Sequence, residues 1–466
     1  MLTRSVRLLS VALSLGVVAS VQAQGFGLNE IGTCAIGRGN AVTGAPCKDA
    51  SLIYWNPAAA TTLNGFSFYG GAAAIKVDGG FTQDSSGRFY KGSVPLALPP
   101  NLFGSYHRDR WAIGLGLYVP YGLTSQWRSD FPGRFSAQRA ALQTIYIQPN
   151  FAYEFYKGWS IGGGPVFGRS HVQLNQSADL STLRVTGQTF TFAQLGVAPG
   201  TEFARASLKG DANAAGYHVA LFGKLGQNIT VGARYLSELK FKYDSAEARF
   251  EQVATGLTLA TGNPLGAPAG TPLDAILAPQ FLSTGALSKQ SVSTAIRHPW
   301  QFEAGFGFTG IERTTLSFDI VRLGYSGFDK LPIAFQGNAV SSNRTLLEEY
   351  KDSWTYRFGL EHTMHNGFNL RGGYSYVETP APEQTVTPLL PDQNRNNYSV
   401  GVGIPLNGDK VVLDAGYTYV QTAGRRGRTG ERVEGTASQT APLASLNNGF
   451  YELKANIFAL SLKINY

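Results

Sequence analysis

Arg234, Arg357 and Arg371, with Glu154, Glu303, Asp319, Glu361 and Asp414, share one setting. Each lies in a segment where polar and apolar residues alternate, on the polar side. Opposite charges on one enclosed face can do two things. A cation can hold the carboxylate of an amphipathic ligand at the end of an apolar pocket, or the set can form a ladder of ion pairs. The three arginines are therefore candidate ligand-binding cations. Cys34 and Cys47 offer another chemistry, a disulfide closing a short loop or a pair of free thiols. Catalysis finds little support. His362-Thr-Met-His365 puts its histidines on opposite faces of a strand, which does not make a metal site. Gly305-Phe-Gly-Phe-Thr-Gly310 matches the dinucleotide fingerprint but leads into a hairpin instead of a helix. GxSxG and P-loop motifs are absent. No catalytic residue, metal or cofactor is expected.

Those side chains require elements with a two-residue period. In Trp111–Val119 the odd positions are Trp, Ile, Leu, Leu and Val, the even ones Ala, Gly, Gly and Tyr. Trp354–Leu360, Phe368–Tyr376 and Tyr398–Ile404 alternate in the same way. One face is apolar and aromatic, the other small or polar, as lipid outside and a narrow lumen inside demand. Fourteen such segments occur, near 65–78, 99–107, 111–120, 140–156, 158–174, 213–223, 228–243, 297–308, 313–325, 351–362, 367–378, 395–404, 410–420 and 453–466. Their connections alternate short and long, and Asn366-Gly367 is a strong tight-hairpin dipeptide. The predicted fold is all-β, a fourteen-stranded antiparallel transmembrane β-barrel with short periplasmic turns and long external loops. Composition agrees: charged residues are only 15%, hydrophobic ones 43%, and there are 56 glycines. The loop at 244–296 carries a short amphipathic stretch, 273–282, interrupted by Pro279. The last segment ends Phe458, Leu460, Leu462, Ile464, Tyr466 on one face, the kind of signal that barrel-assembly machinery reads.

The chain begins as a secretory signal: basic Arg4 and Arg7, an apolar run from Leu8 to Ser20, and a small-residue cleavage site at Val21-Gln22-Ala23. Residues 1–23 are read as signal peptide. The net charge of +8 then falls by the two arginines, 8 − 2, to +6 on the mature chain. No long Lys/Arg run exists, so nucleic acid is not an expected partner. Arg425, Arg426 and Arg428 could face anionic lipopolysaccharide or simply be solvated. Export to an oxidising compartment favours the Cys34–Cys47 disulfide. Residues 24–62 do not alternate and are too few for a domain. Their economical place is inside the lumen, as a hatch on the periplasmic side of a barrel at 63–466.

Residues 25–30 (Gly-Phe-Gly-Leu-Asn-Glu), Gly37-Arg38, Asp49-Ala50 and Asn56-Pro57-Ala58 carry a resemblance. It continues in Tyr121-Gly122-Leu123-Thr124, Asp352-Ser353-Trp354, Arg371-Gly372-Gly373-Tyr374 and Leu390-Pro391-Asp392. The chain resembles the FadL family of outer-membrane long-chain fatty-acid transporters, which includes toluene-type transporters. The resemblance implies a fourteen-stranded barrel with a lumenal hatch and a lateral route through a kink in the third strand. Tyr118, Pro120 and Gly122 are the gate candidates, since Pro removes a ladder hydrogen bond; alternatively Pro120 simply ends its strand. Asn56-Pro57-Ala58 is either a capped turn or the coupling between hatch and pocket.

The expected function is uptake of long-chain fatty acids or other hydrophobic compounds by a monomer in the Gram-negative outer membrane. Expected partners are a long-chain fatty acid or an aromatic hydrocarbon, outer-membrane lipid, lipopolysaccharide and the assembly machinery. Releasing a sixteen-carbon chain into water costs about 12 kcal/mol at ~0.8 kcal/mol per CH₂, so a wet channel is the wrong device. The alternatives are an aromatic-hydrocarbon channel of the same fold, a general porin, a barrel enzyme or a surface adhesin.

Overall fold

The computed structural model describes residues 25–185, 188–263, 265–337, 343–407, 410–436 and 448–466; the expected signal peptide at 1–23 lies outside the described residues. A single antiparallel sheet closes on itself. Its first five strands are β1 (Gly65–Gln83), β2 (Pro100–Arg108), β3 in two segments (Trp111–Tyr118 and Gly122–Gln126), β4 (Arg139–Tyr156) and β5 (Trp159–Asp179). Next come β6 (Glu202–Leu225), β7 (Ile229–Leu236 and Leu239–Gln252), β8 (Gln290–His298 and Trp300–Ile311) and β9 (Thr314–Gly324, continued by Lys330–Gln336). The last are β10 (Ser353–Thr363), β11 (Asn369–Val377), β12 (Arg395–Pro405), β13 (Val411–Thr422) and β14 (Gly449–Asn465). β14 returns to β1, from Ser67 opposite Asn465 to Gln83 opposite Gly449, closing a fourteen-stranded barrel. Closure leaves no open edge, the condition for a sheet in hydrocarbon.

The alternation does what it predicted. Phe302, Phe306 and Phe358 are exposed on the outer wall, while Glu303, Asp319 and Arg357 between them are buried inside. Strand positions agree with the sequence reading at the short-turn end. At the long-loop end several ladders run further: β5 reaches Asp179, β6 starts at Glu202, β7 reaches Gln252 and β8 starts at Gln290. There Arg205, Lys209 and Arg249 stand outward, exposed. Above the lipid the ladder persists, but nothing requires apolar residues on its outer face, so the period-two signal fades. The loop stretch at 273–282 forms the helix Leu273–Leu277, followed by a 3-10 turn, Ala278–Phe281, that contains Pro279. With Leu180, Phe192, Phe203 and Leu259 it builds a small apolar core above the barrel.

Residues 25–63 lie inside the ring. They form helix α1 (Thr33–Gly37), helix α2 (Leu52–Trp55) and a 3-10 turn, Pro57–Thr62. Cys34 and Cys47 are joined in a disulfide. The wall yields to this segment through glycine. A Cβ on Gly373 would stand 2.1 Å from Gly39 N, and one on Gly232 would stand 2.1 Å from Thr43 O. Much of the glycine on the inward face thus marks close approach of backbone to backbone. Asn56 fixes the end of the segment: its side chain accepts from Ala58 N at 3.2 Å and donates to Thr43 O at 2.9 Å and to Leu221 O on the wall at 3.1 Å.

Candidate functional site

The lumen is built in two tiers. In the lower tier, Glu303 of β8 accepts from Arg234 of β7 at 2.7 Å and from Arg357 of β10 at 2.6 Å. It also accepts from Thr43 Oγ1 of the N-terminal segment at 2.5 Å. Asp319 of β9 accepts from the backbone N–H of Thr43 at 2.7 Å. Arg357 reaches Asn40 O at 3.3 Å and Asn29 Oδ1 at 3.2 Å. The guanidinium of Arg234 lies 4.8 Å from the Tyr54 ring, and that of Arg357 lies 5.2 Å from the Trp55 ring. On the adjacent strand, Arg371 of β11 pairs with Glu361 of β10 at 2.5 Å and with Asp414 of β13.

Of the two arrangements open to the three arginines, the geometry is that of the ladder of ion pairs. Arg234, Arg357 and Arg371 do point into the lumen, but the carboxylates they hold are the protein's own. Unpaired buried cations would carry a desolvation penalty that these carboxylates offset. The layer fastens the N-terminal segment to the wall. Glu154, expected to join it, sits instead at the short-turn end of β4, accepting from Gly158 N at 2.6 Å. Alternation marks the face of these residues but not their depth, because a strand's period says nothing about how far along the barrel a residue lies.

Between the tiers the wall is interrupted. β3 pairs with β2 only from Arg108–Trp111 to Leu102–Leu117. On its other side β3 pairs with β4 up to Tyr118–Tyr146 and resumes at Gly122–Gln143, so β3 carries one residue more than its partner. Pro120 lies in that gap and brings no N–H. The strand pauses at Val119–Pro120 and continues from Gly122, so Pro120 does not end it. The N-terminal segment covers the pause: Leu28 N donates to Pro120 O at 2.8 Å, and Gly122 N donates to Phe26 O at 2.9 Å. Tyr118, buried, donates to Gln148 Oε1 at 2.6 Å and stacks on Phe103.

The upper tier is apolar and then polar. A cavity of about 70 Å³ is lined by Phe26, Leu123, Leu142, Leu174, Ile296 and Leu389, among others. Phe26 forms its floor among Tyr121, His298, Tyr325 and Phe328, with ring centroids 5.3 to 6.0 Å away. Next to it is a chamber of about 170 Å³ that shares Leu174 and Leu389 and adds Gln176, Arg344 and Glu431. Arg344 donates to Gln176 Oε1 at 3.2 Å, while its Nε meets no hydrogen-bond partner among the described residues. Burial pushes the Glu431 carboxyl up to about 7, against the pull of Thr387, Arg428 and Arg344. Burial and neighbouring Glu431 also hold the Glu348 carboxyl well above its usual range. The loop at 380–394 roofs the cavity, tied down by Ser125 Oγ donating to Pro388 O at 2.6 Å. Sequence reading missed these residues. They sit in loops or at strand ends beyond the lipid, where alternation is silent; the adjacent Leu389 and Leu390 were the available signal.

The lumen of this barrel is filled below, its outer half holds an apolar cavity, and its wall breaks at β3 and again between β6 and β7, where the ladder is unpaired between His218–Leu236 and Lys209–Glu247. The family model described as outer membrane protein transport protein (OMPP1/FadL/TodX) matches residues 15–466. The chain belongs to that family.

A long-chain fatty acid transport protein of Escherichia coli O6:H1 is 24% identical to this FadL/TodX-family chain, over 98% of this chain and 97% of that one. Outer membrane protein P1 of Haemophilus influenzae is 22% identical, over 98% of each. Among solved structures, a Pseudomonas aeruginosa FadL homologue superposes with a TM-score of 0.74 at 19% identity, covering 95% of this chain and 99% of that one. The Pseudomonas putida toluene transporter TodX gives 0.65 at 16% identity, covering 95% and 100%. Both place the fold. With the family they place this chain in the outer membrane.

Proposed function

We propose that this protein takes up hydrophobic amphiphiles with an anionic head, long-chain fatty acids foremost, and passes them sideways into the membrane through the interruption in β3. The observation that carries this is the adjoining pair of cavities. An apolar chamber floored by Phe26 shares Leu174 and Leu389 with a polar one in which Arg344 keeps an unpartnered Nε. An acyl chain suits the first and a carboxylate the second. At about 70 Å³ the apolar cavity falls below the ~300–1,000 Å³ of typical ligand sites, so the described state is read as closed. Phe26 is both floor of the cavity and cover of the break in β3. Moving residues 24–62, the hatch, would enlarge one and uncover the other together. Tyr118, Pro120 and Gly122 then form the rim of the gate, and Asn56-Pro57-Ala58 the fixed end about which the hatch shifts. Arg234, Arg357 and Arg371 anchor it.

A second reading has its own observation. The cavity lining is almost entirely apolar, which suits a neutral aromatic ring. TodX is named a toluene transporter, and the long-chain fatty acid transport protein of Escherichia coli carries the other substrate in its name. Uptake of labelled oleate and labelled toluene in a host lacking its own transporter separates the two. Oleate uptake supports the proposal, toluene alone supports the second reading, and uptake of neither overturns both. A general porin would give large steady single-channel currents; the filled lower tier leads us to expect almost none.

A further inference from the structure

The outer wall of β4, β5 and β6 carries a groove of about 680 Å³ that no step above uses. Its floor is Ile147, Phe167 and Ala215, and its outer end Arg169, His171 and Asp211. All stand on the lipid-facing side. The inward neighbours Tyr146, Val166, Ser170 and Ala212 are buried, whereas Ile147 is 45% and Phe167 52% exposed. The groove crosses the upper edge of the apolar belt. Towards the short turns the outward residues are Phe151, Ile161, Tyr217 and Val219, each about half exposed. Towards the long loops they become Arg169 and Asp211.

The charges at that edge are ordered. Asp211 Oδ1 accepts from His171 Nδ1 at 3.2 Å and lies 4.0 Å from Arg169. On neighbouring β7, Lys240 and Lys242 project outward, exposed. With Lys209 of β6 and Arg169 they make four cations against three carboxylates, Asp211, Asp244 and Glu247, the last opposite Lys209, leaving the rim net positive. The long loops put this end at the outer surface of the outer membrane. An occupant must lay acyl chain on the apolar floor and present an anion to a ring of Lys and Arg at headgroup depth.

We infer that this groove is a binding site for phosphorylated lipid A, the glycolipid anchor of the outer leaflet, with an acyl chain along Ile147 and Phe167 and a phosphate against Arg169 and Lys242. Arg is suited to phosphate because its planar fork can donate two parallel hydrogen bonds. The inference rests on the outer-membrane location and not on which substrate is transported. The groove also abuts the interruption in β3, since Gln143 of its lining pairs with Gly122. A lipid held there would border the lateral opening.

The test is native mass spectrometry of the full mature chain in detergent, titrated with bisphosphorylated lipid A, dephosphorylated lipid A and phosphatidylglycerol. The double variant Arg169→Gln, Lys242→Gln is compared with Lys157→Gln, Lys224→Gln at the opposite membrane face. We expect lipid A binding to weaken about fivefold per rim cation removed and to be unchanged in the control pair. Dephosphorylated lipid A should bind weakly and be indifferent to the rim variant. Heat-modifiable gel migration establishes that both variants fold. Lipid A binding that survives the rim substitutions, or that does not need the phosphates, overturns the site. Phosphatidylglycerol binding as tightly, with the same loss in the variant, overturns the assignment to lipid A.

Discussion

The lower and upper halves of the lumen treat buried charge in opposite ways. Below, Glu303 is met by two arginines and a threonine, and Arg371 by two carboxylates, so these charges face the protein's own opposite charges even though Arg234 Nη1 and Arg38 Nε lack a hydrogen-bond partner among the described residues. Above, Arg344 Nε, both oxygens of Glu348, and Nε and one Nη of Arg428 find no partner among the described residues. A layer of paired charges is a fastening, whereas charged groups that meet no ion-pair partner have capacity left for a ligand. A charge on the lumen side of a barrel is therefore not by itself a binding residue; what matters is whether the protein has already answered it.

The sharpest break of this contrast is at its most saturated point. Glu303→Gln leaves two buried guanidinium groups with one neutral partner, and removing one member of such a cluster costs about 3–5 kcal/mol. We expect the hatch to loosen, seen as single-channel conductance appearing where the parent shows almost none. Next in size is the staple. Replacing Cys34 and Cys47 by Ala releases a loop of sequence separation 13, worth about 3 kcal/mol. Amide exchange in residues 34–47 should accelerate while the β-strands stay protected. In the upper half, Arg344→Ala should lower oleate uptake about tenfold, the scale of a lost hydrogen bond to a charged group, and leave any toluene uptake unchanged. An equal loss for both solutes would make Arg344 structural.

The smallest effect is on pH. Glu431 has a folded value of about 7, above its ordinary 4.5. The folded loop therefore prefers the protonated acid. The stabilisation is fully present below pH 4.5 and is lost as pH rises through about 7, where the carboxyl ionises in a buried place. Exchange of the amides around Arg428–Glu434 should quicken over that window, and Glu431→Gln should flatten the dependence.

How much of this was legible follows from what each signal reports. The strands near Trp111, Trp354 and Tyr398 could be read because lipid imposes a period of two on their outer faces. The N-terminal segment could be placed because it lacks that period and is short. The depth of Arg357 could not be read, nor could its partner Glu303, two strands away in the chain, because pairing register is set by the closed ladder. The cavity around Leu174 and Leu389 escaped because it is assembled from strand ends and loops that no periodicity marks. Pro120 was legible as a break. Its cover, Phe26 to Leu28, was not, since it involves contacts about ninety residues apart along the chain.

The central claim is that residues 26–28 close a sideways path at β3. Gly27 bridges Tyr121 in this closed state. Cysteines placed by Gly27→Cys and Tyr121→Cys would lock that contact under oxidation. Oleate uptake by the oxidised variant is expected to stop and to return on reduction, while the parent under the same two conditions stays active. Undiminished uptake with the cross-link fully formed would contradict it.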